Sequence, residues 1–125
     1  MADHNELGSV GETIAVAFLE DNGYKIHSLN WKRRRLEIDI IATKQSILVF
    51  VEVKTRTNNV FGNPEEAVNA QKEKLLIEGA SAYCREQNYE DEIRFDIIAI
   101  TLEPVLDIRH FKDAFFPDWD DETVY

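Results

Sequence analysis

The chain has 125 residues, of which 44% are hydrophobic, and a net charge of −10. This apolar content excludes a disordered polyelectrolyte, and no apolar run approaches the ~20 residues of a membrane span. The acidity argues against strong sequence-blind binding of duplexes, which depends on neutralising phosphates with Lys and Arg.

The charge is unevenly spread. Of the 14 basic and 24 acidic residues, eight of each fall in residues 1–60, leaving six against sixteen in the remainder. The basic residues of the first part include one compact run, Lys32-Arg33-Arg34-Arg35. Cys84 is the single cysteine, so neither an internal disulfide nor a thiolate zinc cluster is expected. Met1 to Glu6 lacks a basic segment followed by an apolar one. No signal peptide is expected, and a reducing, cytoplasmic setting fits best.

In chain order, Ser9 to Asn22 reads as a helix with Val10, Ile14, Ala17, Phe18 and Asp21 on one stripe. Ser9 with Glu12 three residues later has the form of a capping box, and Gly23 is a natural stop. Tyr24 to Trp31 reads as a strand, followed by the basic run as a loop. Leu36 to Ala42 and Ile47 to Lys54 read as a hairpin. The region from Thr57 to Asn63 reads as a turn, and Asn63-Pro64-Glu65-Glu66 as the start of a helix running to about Gln87. Its stripe is Val68, Gln71, Leu75, Gly79, Ala82 and Tyr83. Ile93 to Leu102 is a further strand, Val105 to Ile108 a short one, His110 to Phe116 a terminal helical turn, and residues 117–125 an acidic aromatic tail. The first three strands suit a meander. The fourth follows a helix and is expected to lie parallel to its neighbour. Residues 1–125 are read as one domain with a core over about residues 7–115.

The hairpin carries the chemistry. Ile47-Leu48-Val49-Phe50-Val51 is apolar and β-branched, as in a strand covered on both faces, yet Glu52 and Lys54 end it on one face. With a two-residue turn at Gln45-Ser46, paired positions sum to 91. Asp39 then opposes Glu52, Glu37 opposes Lys54 and Ile41 opposes Phe50. Two adjacent carboxylates need a proton or a cation between them, and Mg²⁺ is often held by one or two carboxylates plus substrate phosphate. Gln-Ser is a weak turn signal, and a slip of one residue would put Asp39 on the other face. A hairpin with ordinary cross-strand salt bridges explains the same residues equally well.

Further motifs join these. Gly8-x-x-Gly11-Glu12-x-x-Ala15, Glu37-Ile38-Asp39-Ile40-Ile41, Val49-Phe50-Val51-Glu52-Val53-Lys54-Thr55-Arg56, Gly62-x-Pro64-Glu65-Glu66-Ala67-Val68 and Arg94-Phe95-Asp96-Ile97-Ile98 stand in order over about residues 7–115. Together they resemble the YraN-like family of bacterial proteins, itself similar to the PD-(D/E)xK superfamily with its restriction-endonuclease-like fold. Leu36 departs from the glycine usual there, and the basic run before it is longer.

The resemblance implies a three-layer α/β/α domain with a central mixed sheet flanked by helices, and hydrolysis of phosphodiester bonds in nucleic acid. Asp39 and Glu52, with the carbonyl of Val53, would bind Mg²⁺ or Mn²⁺. Lys54 would orient or deprotonate the attacking water, Glu12 would add an acid, and Gln71 would match a polar position on the following helix. Branched or damaged DNA is one substrate class among several, since the residues do not separate DNA from RNA. Each assignment has a plainer rival. The capping box explains Glu12, a structural hydrogen bond explains Gln71 or Asp96, solvation explains Lys72 and Lys74, and the core explains Trp31.

Lys32, Arg33, Arg34 and Arg35 are candidates for phosphate contact, with a solvated loop as the alternative, and Arg56 is a candidate either for phosphate contact or for pairing with Asp39. Three functions stand side by side: a metal-dependent nuclease, a catalytically weak nucleic-acid-binding module of the same fold, and an adaptor whose acidic second half and tail meet a protein partner. Paired cuts in a duplex would further imply a homodimer.

Overall fold

The computed structural model describes residues 4–58 and 69–115. Its elements in chain order are helix α1 (His4–Asp21), strands β1 (Lys25–Arg33), β2 (Leu36–Lys44) and β3 (Ile47–Arg56), helix α2 (Ala70–Gln87), and strands β4 (Ile93–Thr101) and β5 (Asp107–Phe115). The five strands form one sheet in sequence order. β3 and β4 are parallel and the other neighbours antiparallel.

The helices cover opposite faces. Leu76, Ile77 and Ala80 of α2 pack with Trp31, Ile38, Ile41, Leu48, Phe50 and Phe95. Ala15 and Leu19 of α1 pack with Ile40, Ala42, Val49, Val51, Ile98 and Ile100. β3 is thus buried on both sides, as its unbroken apolar run requires. The result is the expected α/β/α arrangement around a mixed sheet, compatible with a restriction-endonuclease-like fold. No described helix is long and apolar enough to cross a membrane.

Several boundaries differ from the sequence reading. α1 begins at His4, which puts Ser9 inside the helix, where its carbonyl accepts from the Thr13 hydroxyl. Ser9 is therefore not a cap. The inward stripe is Gly11, Ala15 and Leu19, one residue on from Val10, Ile14 and Phe18. The reason is close approach. A Cβ on Gly11 would lie 1.6 Å from Thr55 Oγ1, so only glycine lets α1 sit on β3 there.

α2 begins at Ala70, capped by Asn69, whose side chain accepts from the Lys72 N–H at 3.0 Å. It does not run unbroken from Pro64, and residues 59–68 lie outside those described. The helical turn expected from His110 is instead strand β5. β5 bulges: Phe95 pairs with Phe115 and Ile97 with Phe111, and Asp113 lies between in a left-handed conformation (φ 55°).

The hairpin turn falls at Gln45-Ser46, with φ of 51° and 70°, the two positive values a tight hairpin needs despite the poor sequence for it. The register sums to 91 from Lys44↔Ile47 to Ile40↔Val51. There the ladder ends. β2 stays with β1, through Trp31↔Ile38 to Arg33↔Leu36, while β3 stays with β4 to Arg56↔Thr101. The two central strands diverge, and the cleft between them is where the candidate residues meet.

Candidate active site

Divergence leaves backbone groups of β3 without a strand partner. Asp39 takes one of them: its Oδ2 accepts from the Val53 N–H at 2.8 Å. Asp39 is thus brought to Glu52 by a side-chain bond across the cleft rather than by a ladder pair. The expected opposition of Glu37 and Lys54 does not occur, because the ladder has already ended. The Glu37 carboxylate lies 3.9 Å from Lys32 instead. Local backbone breaks aid the divergence. Ile38 and Ile41 both face the α2 side while Ile40 faces α1, so alternation fails around Asp39. On the paired strand, Asn30 has φ 52° and separates Leu29, on the α1 side, from Trp31, on the α2 side.

The cleft opens into a cavity of 660 Å³ between the first half of α1 and the start of α2. Glu12, Asp39, Glu52, Val53 and Lys54 line it together. Glu52 is only 4% exposed, with Lys72 Nζ 2.6 Å and Lys54 Nζ 3.9 Å from its Oε1. Glu12 accepts a hydrogen bond from Asn30 Nδ2 at 3.1 Å.

The electrostatics follow from this crowding. Burial, and then the neighbouring Glu52, push the Asp39 carboxyl up to about 7, against the Val53 hydrogen bond that lowers it. Burial raises Glu12 as well; the Asn30 bond opposes, and the charges of Asp39 and Glu37 add. Burial lowers the Lys54 ammonium, and the charge of Lys72 lowers it further, beyond what Glu52 and Asp39 restore. Burial would lower Lys72 too, but its hydrogen bond and attraction to Glu52 prevail and raise it.

The donor set suits a hard divalent cation. Two carboxylates converge beside the Val53 backbone, and their repulsion is what such an ion relieves. Among the described residues no group of three or more His, Cys, Asp or Glu side chains is set to hold a metal, so further ligands would come from substrate phosphate or water.

Not every candidate comes to the cavity. Gln71 is exposed and outside its lining. With α2 starting at Ala70, Lys72, about 100° further round the helix, faces Glu52 instead. Lys72 had read as a solvated helix residue, but burial of Leu76, Ile77 and Ala80 against the sheet turns its side of the helix inward. Asn30, read only as a strand-face residue, and Leu76 are further lining residues the sequence did not single out.

The basic run splits. Lys32 and Arg33 end β1. Arg33 makes a two-pronged pair with Glu86 at 2.7 and 2.9 Å and lies 4.9 Å over the Trp31 ring. Arg34 occupies the turn with φ 56°. Arg35 lines the cavity, 3.7 Å from Glu78. Arg56 ends β3, outside the lining. Trp31 is core. Residues 117–125 lie outside those described.

Comparison with known sequences agrees with this frame. The model of the uncharacterised protein family UPF0102 matches residues 11–100. The chain belongs to the UPF0102 family. It is 48% identical over 118 residues to a UPF0102 protein of Bacteroides thetaiotaomicron, covering 94% of this chain and 98% of that protein. A UPF0102 protein of Flavobacterium psychrophilum is 47% identical over 117 residues, covering 93% and 98%. One of Porphyromonas gingivalis is 44% identical over 118 residues, covering 92% and 87%. The YraN-like resemblance is thus a family relationship, and the UPF0102 match spans every lining residue from Glu12 to Leu76.

Proposed function

We propose that this UPF0102 protein is a metal-dependent nuclease of the PD-(D/E)xK type, hydrolysing phosphodiester bonds in nucleic acid. One observation carries the reading: two carboxylates, Asp39 and Glu52, crowd together at the splayed ends of β2 and β3 with Lys54 beside them in an open cavity. A fold gains nothing from holding like charges in this way, and a perturbed carboxylate such as Asp39 beside a lysine in a cleft is a frequent mark of a reaction centre.

Asp39 and Glu52, with the Val53 carbonyl, would hold Mg²⁺ or Mn²⁺, which supplies charge neutralisation at the phosphate. Lys54, its ammonium lowered by burial and by Lys72, is suited to orient the attacking water and accept its proton. Glu12, held by Asn30, borders the same space and can position that water. Arg35 and Lys72 offer positive charge to the phosphate oxygens.

A second reading has its own support. Lys72 at 2.6 Å already compensates Glu52, as suits a nucleic-acid-binding module of the same fold that needs no metal. Calorimetry with Mn²⁺ and Mg²⁺ separates the two. The nuclease reading expects saturable binding that is lost in the double variant Asp39→Asn, Glu52→Gln, and metal-dependent cleavage in a screen of single-stranded, nicked, branched and RNA substrates. Binding of nucleic acid that ignores the metal and survives the double variant supports the module.

A further inference from the structure

The cavity of the acids and lysines does not stop at Glu12. Beyond Ser9 and Glu12, which line both, a second depression of 220 Å³ lies between α1 and β1, completed by Thr13, Val16 and Leu29. The first space is walled by charge; the second has an aliphatic floor. Leu29 is 50% exposed, a large apolar side chain facing water directly beside a charged cleft. Its placement is built in. The left-handed backbone of Asn30 reverses β1, so Leu29 faces the α1 side while Trp31, two residues on, enters the opposite core. In a regular strand the two would share a face. Asn30 also donates the hydrogen bond to Glu12 at the boundary between the two spaces, so one residue shapes both.

We propose that this ledge receives an unpaired base of the strand whose phosphate enters the acid–lysine cavity, so that the preferred substrate is single-stranded or locally unpaired nucleic acid. The inference rests on the phosphate-handling reading above. A base presents a flat apolar face and an edge of amino donors. Leu29 and Val16 offer apolar surface to the face, and the Glu12 carboxylate is an acceptor for the amino edge. Inside a duplex a base is stacked and paired, and taking it out costs a few kcal/mol, least where the strand is already single. Continuity of the ledge with the cleft favours a base over an unrelated apolar partner, because one nucleotide carries both chemistries. The chain's acidity points the same way: a narrow grip on one strand needs fewer phosphate contacts than a duplex track.

The test uses the full chain in EDTA and fluorescence anisotropy with a labelled deoxyribonucleotide strand of roughly 12 residues, within ordinary site sizes. Its duplex, and a strand of the same length built from abasic units, are the controls. The wild type is expected to bind the natural strand at least about tenfold more tightly than the duplex. Leu29→Asp is expected to weaken the natural strand about tenfold, roughly 1.4 kcal/mol, and to leave the abasic strand unchanged, with Leu29→Met restoring binding. Equal loss for both strands, no loss for either, or equal binding of duplex overturns the ledge. Mn²⁺ calorimetry on the same protein in chelator-free buffer separates the two levels. Metal binding without strand discrimination ends the ledge and spares the nuclease reading; absence of both metal and strand binding ends both.

Discussion

Lys72 Nζ lies 2.6 Å from Glu52 Oε1, on a carboxylate that is almost wholly buried. This ion pair stands where a divalent cation would be expected to act, and it couples α2 to the end of β3. Lys72→Met leaves Glu52, among the described residues, with Lys54 at 3.9 Å for compensation. The Lys72 side chain is 41% exposed, so water screens part of the interaction. The expected loss is about 1–2 kcal/mol, below the roughly 3–5 kcal/mol for breaking a fully buried pair. Urea unfolding measures it. Under the nuclease reading, saturating Mn²⁺ restores most of that loss, because the ion replaces the missing charge. An unchanged midpoint on adding Mn²⁺ counts against a shared metal at Glu52.

Asp39 makes stability depend on pH in a direction opposite to most carboxylates. Its carboxyl sits at about 7 in the fold against an ordinary 3.8. Between these values the folded state keeps a proton that the unfolded chain has released. The contribution is therefore fully present below about pH 4 and is lost as pH rises through 7. Asp39→Asn, which keeps a carbonyl for the Val53 N–H, is expected to stabilise the metal-free protein at pH 8 by on the order of 2–4 kcal/mol and to change little at pH 4. Denaturant melts in EDTA at the two pH values check this. Protons and metal compete for the same oxygens, so Mn²⁺ affinity is expected to fall about tenfold for each pH unit below 7.

The part of this site legible in the sequence was the part written locally. Glu52 and Lys54 share a face of β3 by strand periodicity, and the hairpin register followed from a two-residue turn at Gln45-Ser46, which opposes Ile41 to Phe50 as the structure does. The divergence beyond Ile40 was not legible, because it depends on β2 holding to β1 while β3 holds to β4. Lys72 was hidden because packing of Leu76, Ile77 and Ala80 on the sheet, not the stripe through Gln71 and Leu75, sets the inward side of α2. The strand character of the stretch from His110 was not legible, because β5 is bulged and takes its register from β4. In each case a nonlocal contact overrode a local pattern.

Gly11 marks where α1 meets β3 behind the cleft. A methyl group there would lie 1.6 Å from Thr55 Oγ1 and 2.8 Å from Thr55 Cβ. Gly11→Ala must shift the helix or strand, with an expected destabilisation of about 2–3 kcal/mol, as for an overpacked core. Since Glu12 is the next residue, the Glu12–Asn30 bond should loosen as well. Thr55→Gly in the same chain removes both clashing atoms and is expected to recover most of the loss, whereas Thr55→Ala leaves the 2.8 Å clash and recovers less. A double-variant cycle by thermal unfolding reads the coupling. Additive losses would mean that α1 is not wedged on Thr55.

Away from the cleft, Asp96 is wholly buried in β4 and carries a complete set of partners. Its carboxylate accepts from Arg94 at 2.7 and 2.8 Å and from the Asp113 N–H at 3.0 Å, with His110 Nε2 at 2.7 Å. Arg94 reaches on to the Tyr24 hydroxyl at 2.6 Å. Burial alone would raise this carboxyl, but the hydrogen bonds from His110, Arg94 and Asp113 together hold it below the ordinary range. The sign is therefore opposite to that of Asp39: this stability is present above the ordinary carboxylate range and is lost as pH falls through the lowered value. Asp96→Asn would leave the Arg94 charge without its counterion and unpin the bulge of β5. The expected cost at pH 7 is about 3–5 kcal/mol, with the difference from wild type shrinking toward pH 3. Mn²⁺ affinity per folded molecule should stay unchanged, because none of these residues lines the cleft. A fall in that affinity, measured where the variant is still folded, would show that the Asp96 network also shapes the site.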